Sequence, residues 1–169
     1  MHDFLPDERL CLVGNIHDFD GMLVFDKWTC NTNGRQTLFL SELHQEESGA
    51  YPDASDCTYR TLMIDQGFCF SAGDWKFPDA PLRGLYSRNR VYEGITGMHS
   101  FAPWLERLEQ RITDRVLDDV SRDIPSEWYG DGDEDLLELL EQLFRRRTRV
   151  PELLLEAKKS SRQPFPNWV

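Results

Sequence analysis

Long apolar runs, closely spaced cysteines and an excess of basic charge are all absent from this 169-residue sequence. No run approaches the roughly 20 apolar residues that a transmembrane helix needs. The first residues, Met1-His2-Asp3-Phe4, lack the basic start and apolar core of a signal peptide. The four cysteines are far apart with no C-x-x-C motif, which favours free thiols over a disulfide framework or a zinc site. We therefore expect a cytoplasmic protein with no membrane partner.

The charge balance is strongly acidic. Acidic side chains outnumber basic ones by 30 to 19, which gives a formal net charge of -11. Such a chain is repelled by nucleic-acid phosphates and by anionic lipid, so the sequence predicts no nucleic-acid partner. Its length suits one compact domain, because a chain of this size can bury roughly 68–70% of its unfolded surface.

The first part of the chain has the pattern of a helix followed by two strands. Apolar residues recur at helical spacing from Asp20 to Trp28, and the run ends at the turn-forming residues 29–34. Residues 36–42 and 58–64 are typical of strands. The polar excursion between them predicts a long hairpin loop. The run from Leu10 to Val13 could be strand or helix.

The second part of the chain is predicted to be helical. Pro103 to Val120 predicts one amphipathic helix, and further helices are expected over 136–147 and 151–158. Residues 161–169 are expected to form a polar tail. The predicted fold is therefore α+β and mainly helical, with a small β-hairpin and a C-terminal helical bundle.

Two short segments carry residues suited to phosphoryl transfer. This chemistry needs a carboxylate that accepts the hydroxyl proton, and an amide and a second carboxylate that hold magnesium on the phosphates. Asp26 and Asn31 stand five residues apart, which is the spacing of base and metal-binding amide in a kinase catalytic loop. Asp65-Gln66-Gly67 has the form of the metal-binding Asp-x-Gly that follows the next hairpin.

At these residues the sequence resembles the HipA-like kinases and, more distantly, the phosphatidylinositol kinases. Their catalytic segment is roughly F-D-x-W-x-x-N-x-D-R-x-x-x-N-x-L, and their metal motif is I-D-x-G-x-x-F. The residues that match are Phe25, Asp26, Trp28, Asn31, Leu40, Ile64, Asp65, Gly67 and Phe70. The resemblance implies a protein-kinase-like large lobe over 1–160, with the catalytic-loop and metal-motif part in 1–70 and a helical part in 71–160. It also implies transfer of the γ-phosphoryl group of ATP, with Mg²⁺, to a protein or small-molecule hydroxyl.

Two departures from the family pattern matter. Asn33 stands where the family has its catalytic Asp, and Leu38 stands where it has the metal-binding Asn. Either the site has lost its base, or Asp26 and Asn31 have taken over the two roles.

Taken with the resemblance, these positions give the set of candidate site residues. The candidate catalytic residues are Asp26, Asn33 and Arg35, while Asn31 and Asp65 are the candidates for binding the cofactor and the metal. Arg35 is expected either to bind a phosphate or to pair with Asp26 or Asp65. Asp26 could also be an ordinary exposed carboxylate on its helix.

The nucleotide-gripping half of a kinase has no counterpart in the sequence. No Gly-x-Gly-x-x-Gly occurs, and the stretch before Asp26 is too short for a small lobe. The chain alone is therefore expected to be inactive, and its expected partner is a small-lobe polypeptide or a protein substrate. The alternatives are a degenerate, pseudokinase-like interaction module and an unrelated helical domain in which the motif match is accidental.

Two further expectations concern side chains outside the loop. The basic run Arg145-Arg146-Arg147, with Arg149, is expected to be a solvated helix end, and the alternative is a contact with the missing half or with phosphate. The aromatic side chains are expected to belong to the core, namely those of Trp75, Phe101, Trp104 and Trp128.

Overall fold

The chain has a mixed α/β fold in which helices predominate. The structure is a computed structural model and describes residues 1–43, 57–72, 74–129 and 132–169. Its main helices and strands are α1 (Asp18–Trp28), β1 (Gln36–Leu43), β2 (Cys57–Ile64), α2 (Ala102–Arg111), α3 (Asp114–Asp123), α4 (Asp133–Arg146) and α5 (Val150–Lys159). Short 3-10 helices cover Asp7–Leu12, Asn89–Tyr92, Met98–Phe101, Ser126–Trp128 and Arg147–Arg149. Across the described ranges, none of the helices has both the length and the apolar character needed to cross a membrane.

The two predicted strands form an antiparallel hairpin whose register runs from Gln36 opposite Ile64 to Leu43 opposite Cys57. Alternation places Phe39 and Tyr59 on the buried face. The N-terminal segment borders this hairpin, because His2 bridges to Phe39 and Val13 bridges to Tyr59. The predicted long loop over 44–56 lies outside the described residues.

Helix α1 runs through the centre of the main core. Phe19 and Leu23 are fully buried, and they belong to the same core cluster as Phe101 of a 3-10 helix and Leu154 of α5. Helix α2 lies close to α1, because a Cβ atom on Gly21 would come within 2.6 Å of the Trp104 ring. A helix covered on most of its faces brings its polar residues into the core as well.

The single helix predicted over 103–120 is wrong. Helix α2 ends at Arg111, and α3 begins at Asp114. Thr113 has an extended backbone, and its side chain accepts a hydrogen bond from the N–H of Val116, so it caps a new helix. Because of this break, Leu117 packs with the leucines of α4 in a second core cluster, while Val120 remains 46% exposed.

Two aromatic residues near the end of the chain differ from expectation. Trp128 is 79% exposed, so its assignment to the core is wrong. Phe165, in the predicted tail, is buried against Phe101 and Tyr92. The segment 161–169 therefore packs on the main core through this ring.

Candidate functional site

Asp26 lies in the last turns of α1 and is buried with a tightly bound partner. Its carboxylate accepts two hydrogen bonds from Arg35, one from Nε to Oδ2 at 2.8 Å and one from Nη2 to Oδ1 at 2.6 Å. The exposed fractions of the two side chains are 0% for Asp26 and 1% for Arg35. Asp26 is therefore not an exposed helix carboxylate, and that interpretation is wrong because α1 is enclosed by the core.

Arg35 fastens the loop to β2 as well as to α1. Its Nη1 donates to the carbonyl oxygen of Ile64 at 2.6 Å. Because all three guanidinium nitrogens donate hydrogen bonds within the protein, Arg35 pairs with Asp26 rather than facing outward towards a phosphate. This bidentate geometry is the stronger form of an arginine–carboxylate pair.

Asn31 is enclosed inside the loop. Its Nδ2 donates to Asp26 Oδ1 at 2.9 Å, and its Oδ1 accepts from the N–H of Asn33 at 3.1 Å. The side chain is fully buried. Asn31 thus holds the turn that follows α1, since it satisfies a backbone donor and the buried carboxylate together.

The second motif meets the loop through Asn33. Its Nδ2 donates to Asp65 Oδ2 at 2.6 Å, and Asp65 is half-buried. Backbone bonds add to this contact, because the N–H of Thr32 donates to Phe68 O and that of Phe70 donates to Thr29 O. The structure therefore brings the Asp26–Asn33 loop and the Asp65-Gln66-Gly67 segment together. Leu38 lies apart from them within β1, opposite Leu62.

The backbone around these two segments is strained. Left-handed φ angles occur at several residues other than glycine, and those in or near the two segments are Cys30, Asp65, Phe70, Ser71, Ala72 and Trp75. Each such residue costs on the order of 1 kcal/mol or more, and this strain is often found at functional sites. The packing around α1 therefore holds a loop conformation that its residues do not favour by themselves.

Three buried residues outside the candidate set lie at the last turns of α1. Gly84 has a φ of +76°, and a Cβ atom on it would lie 2.4 Å from Asp26 Cβ. Lys27 is buried and donates from Nζ to the carbonyl oxygen of Arg83. Burial lowers the pKa of Lys27 to about 7, and the charge of Asp26 opposes that fall. Burial also raises the pKa of Asp26, opposed by the hydrogen bonds from Arg35 and Asn31.

The third residue is Arg146, for which the expected solvated position is wrong. It is only 7% exposed and donates to three backbone carbonyls, those of Lys27 at 2.7 Å, Phe77 at 2.9 Å and Pro78 at 3.3 Å. The helical period could have revealed it, because Arg146 follows Leu143 by three residues on the buried face of α4.

No protein-family model, curated protein or solved structure matches the chain. The resemblance to HipA-like kinases therefore remains an expectation that rests on the two motifs.

The residues expected to hold Mg²⁺ do not fit that ion in the observed arrangement. Magnesium takes oxygen ligands in octahedral geometry, commonly one or two carboxylates with substrate phosphates. Asn31 is fully buried and its oxygen already accepts a backbone N–H. Asp65 is more accessible than Asn31, but one of its carboxylate oxygens, Oδ2, accepts a hydrogen bond from Asn33. Within the described ranges, no group of three or more His, Cys, Asp or Glu side chains is placed to hold a metal.

Chemically, the arrangement has two layers. The inner layer is the Asp26–Arg35 ion pair with Asn31, which is closed to solvent and joins α1, the loop and β2. The outer layer is the Asn33–Asp65 contact, which is partly exposed. The inner layer has the features of a structural support, while the outer layer can still reach a ligand or a partner.

Proposed function

We propose that this chain is a protein-interaction module that resembles the large lobe of a HipA-like kinase and does not transfer phosphate by itself. The observation that supports the proposal best is the buried ion pair. Asp26 accepts three hydrogen bonds, two from Arg35 and one from Asn31, and its side chain has no exposed surface. A general base must come within hydrogen-bond reach of the hydroxyl whose proton it takes. Asp26 in this state offers no such approach.

Asn33, at the position of the family's catalytic Asp, supports the same proposal. A carboxamide does not accept a proton at neutral pH, so it cannot serve as a base. Its observed contact with Asp65 instead fixes the outer layer of the site. The strain around Asp65 and Phe70 is consistent with a surface that is kept in one shape for recognition.

A second candidate function is one half of an Mg²⁺- and ATP-dependent kinase that a small-lobe polypeptide would complete. The observation that favours it is the 2.6 Å contact between Asn33 and Asp65, the two residues that the resemblance aligns with the family's catalytic and metal-binding positions. In that case the partner would grip the nucleotide and would supply the further metal ligands that Asp65 alone does not provide.

Calorimetric titration with Mg-ATP discriminates the two candidates. The full chain, Asp65→Ala and the control Asp119→Ala are titrated in parallel. Asp119 is an exposed carboxylate of α3 that pairs with Arg122. If the chain is an interaction module, none of the three proteins should bind Mg-ATP. Micromolar binding that Asp65→Ala abolishes and Asp119→Ala retains would contradict it and favour the kinase half.

A further inference from the structure

We infer that the groove between α3 and α4 is a docking site for a basic amphipathic helix of a partner protein. The groove has a volume of about 440 Å³. Its lining combines an apolar floor with a mainly acidic rim: Leu117, Leu137, Leu140 and Phe144 form the floor, and Asp114, Asp118 and Glu141 lie at the rim. One basic side chain, that of Arg145, also lines the groove. This inference rests on the proposed function, because it names the kind of partner that the module would bind.

The charge of this region is the first argument for a basic partner. The two helices with their connection, residues 114–146, contain eleven acidic and four basic side chains, a net charge of -7 out of -11 for the whole chain. Most of the excess negative charge therefore falls on one helical pair and its connection. Complementary charge steers association and penalises acidic competitors.

The exposure of Leu137 is the second argument. Its neighbours Leu136, Leu139, Leu140 and Leu143 are at most 9% exposed, whereas Leu137 is 63% exposed within the groove. An isolated surface leucine is ordinary. Here, however, Leu137 is part of the apolar floor of the groove. Phe144 belongs to the same floor and lies two helical turns further along α4, about 10 Å from Leu137 along the helix axis.

The shape of the groove selects a helix as the occupant. Two helices form its walls, and a third amphipathic helix fits such a groove with apolar residues at i, i+3, i+4 and i+7. These residues would contact Leu137 and Phe144, while lysines or arginines on the flanks would face Asp114 and Asp118. Glu141 pairs with Arg145 across an exposed contact, which is weak and therefore easily exchanged for a partner's cation.

The test uses a fluorescein-labelled peptide of about 18 residues, with leucine at helical spacing and lysine elsewhere. Fluorescence polarisation of the full chain is expected to give a dissociation constant in the micromolar range. Leu137→Asn should weaken binding by about tenfold or more, equivalent to at least 1.4 kcal/mol. The matched control is Val120→Asn, because Val120 is also an exposed apolar residue but lies on the opposite flank of α3 from Asp114 and Asp118. The control should change binding by less than about twofold.

Two further measurements separate the groove from general charge attraction. A peptide of the same composition, with its leucines distributed around the helix, should bind at least about tenfold more weakly. Asp114→Asn/Asp118→Asn should weaken binding of the first peptide and reduce its dependence on salt between about 50 and 300 mM. Urea unfolding of each variant confirms that it is folded.

The inference is overturned if the chain does not bind the peptide, if the two peptides bind equally, or if Val120→Asn weakens binding as much as Leu137→Asn. Sedimentation equilibrium adds one more contradicting outcome, namely a dimer that Leu137→Asn alone dissociates, since the occupant would then be a second copy. Binding of Mg-ATP would contradict the proposed function without changing these peptide results. The two failures are therefore distinguishable.

Discussion

Replacing Arg35 by methionine tests the buried ion pair most sharply, because the change keeps a long side chain and removes its charge. In the protein, Arg35 supplies two of the three hydrogen bonds to the Asp26 carboxylate and one to the carbonyl oxygen of Ile64. After the change, Asp26 keeps only the bond from Asn31 while its side chain stays out of contact with solvent. An uncompensated buried carboxylate is then expected to destabilise the fold.

The expected loss is large for a single substitution. Removing one partner of a buried ion pair costs about 3–5 kcal/mol. The lost bond to Ile64 adds about 1 kcal/mol. We therefore expect the free energy of unfolding to fall by about 4–6 kcal/mol, comparable to the whole stability of many domains, which is about 5–15 kcal/mol. Asp26→Leu/Arg35→Met removes both charges, so it should be more stable than Arg35→Met alone.

Urea unfolding followed by circular dichroism measures these differences. The control is Asp119→Asn, which removes one partner of the exposed pair between Asp119 and Arg122 and should cost less than about 1 kcal/mol. A cost below about 1 kcal/mol for Arg35→Met would refute the reasoning. The single variant Asp26→Leu completes the comparison. A loss in the double variant that equals the sum of the losses in Arg35→Met and Asp26→Leu would also refute the reasoning, because the two side chains would then not be coupled.

Three further substitutions probe the surroundings of the ion pair. Gly84→Ala should lower the urea midpoint strongly, since the new Cβ would lie 2.4 Å from Asp26 Cβ at a φ of +76°; an unchanged midpoint would contradict this close approach. Arg146→Lys should cost about 2 kcal/mol or more, because a lysine cannot reach all three carbonyls of Lys27, Phe77 and Pro78; a loss no larger than that of the exposed Arg145→Lys would count against it. Lys27→Met should flatten the pH dependence of stability. In the folded protein the pKa of Lys27 is lowered to about 7 from 10.5, so between these two values the unfolded chain binds one more proton than the folded chain. The stability of the wild type therefore rises with pH over this range. From pH 7 to 10 the urea midpoint of the wild type should therefore rise relative to that of Lys27→Met. Parallel curves would contradict the lowered pKa of Lys27.

Local patterns were sufficient to predict the hairpin and the end of α1. The residues in 36–42 and 58–64 are typical of strands, and the structure extends each strand by one residue. The turn-forming residues after Trp28 correctly predicted where α1 ends. The open choice for Leu10 to Val13 falls on a 3-10 helix that ends at Leu12, a short element that periodicity does not distinguish.

Tertiary contacts decided the features that the sequence did not predict. The apolar period runs on from α2 into α3, so only the cap at Thr113 reveals the break. The burial of Asp26 depends on elements that enclose α1 from distant parts of the chain. A signal was nevertheless present, because apolar residues surround most of α1, and a helix of that kind is buried together with its polar residues. The sequence left the role of Arg35 open, since a phosphate, Asp26 and Asp65 were all candidate partners.

A phosphoryl-transfer assay with γ-labelled ATP and Mg²⁺ tests the central claim most directly. The full chain is incubated with a general protein substrate, in parallel with Asp65→Asn and the control Asp119→Asn. The Asp26 carboxylate is held by Arg35 and Asn31, and the carboxamide of Asn33 cannot act as a base. We therefore predict no labelled protein above the level of the heat-denatured chain. Labelled product that Asp65→Asn abolishes and Asp119→Asn retains would contradict the account.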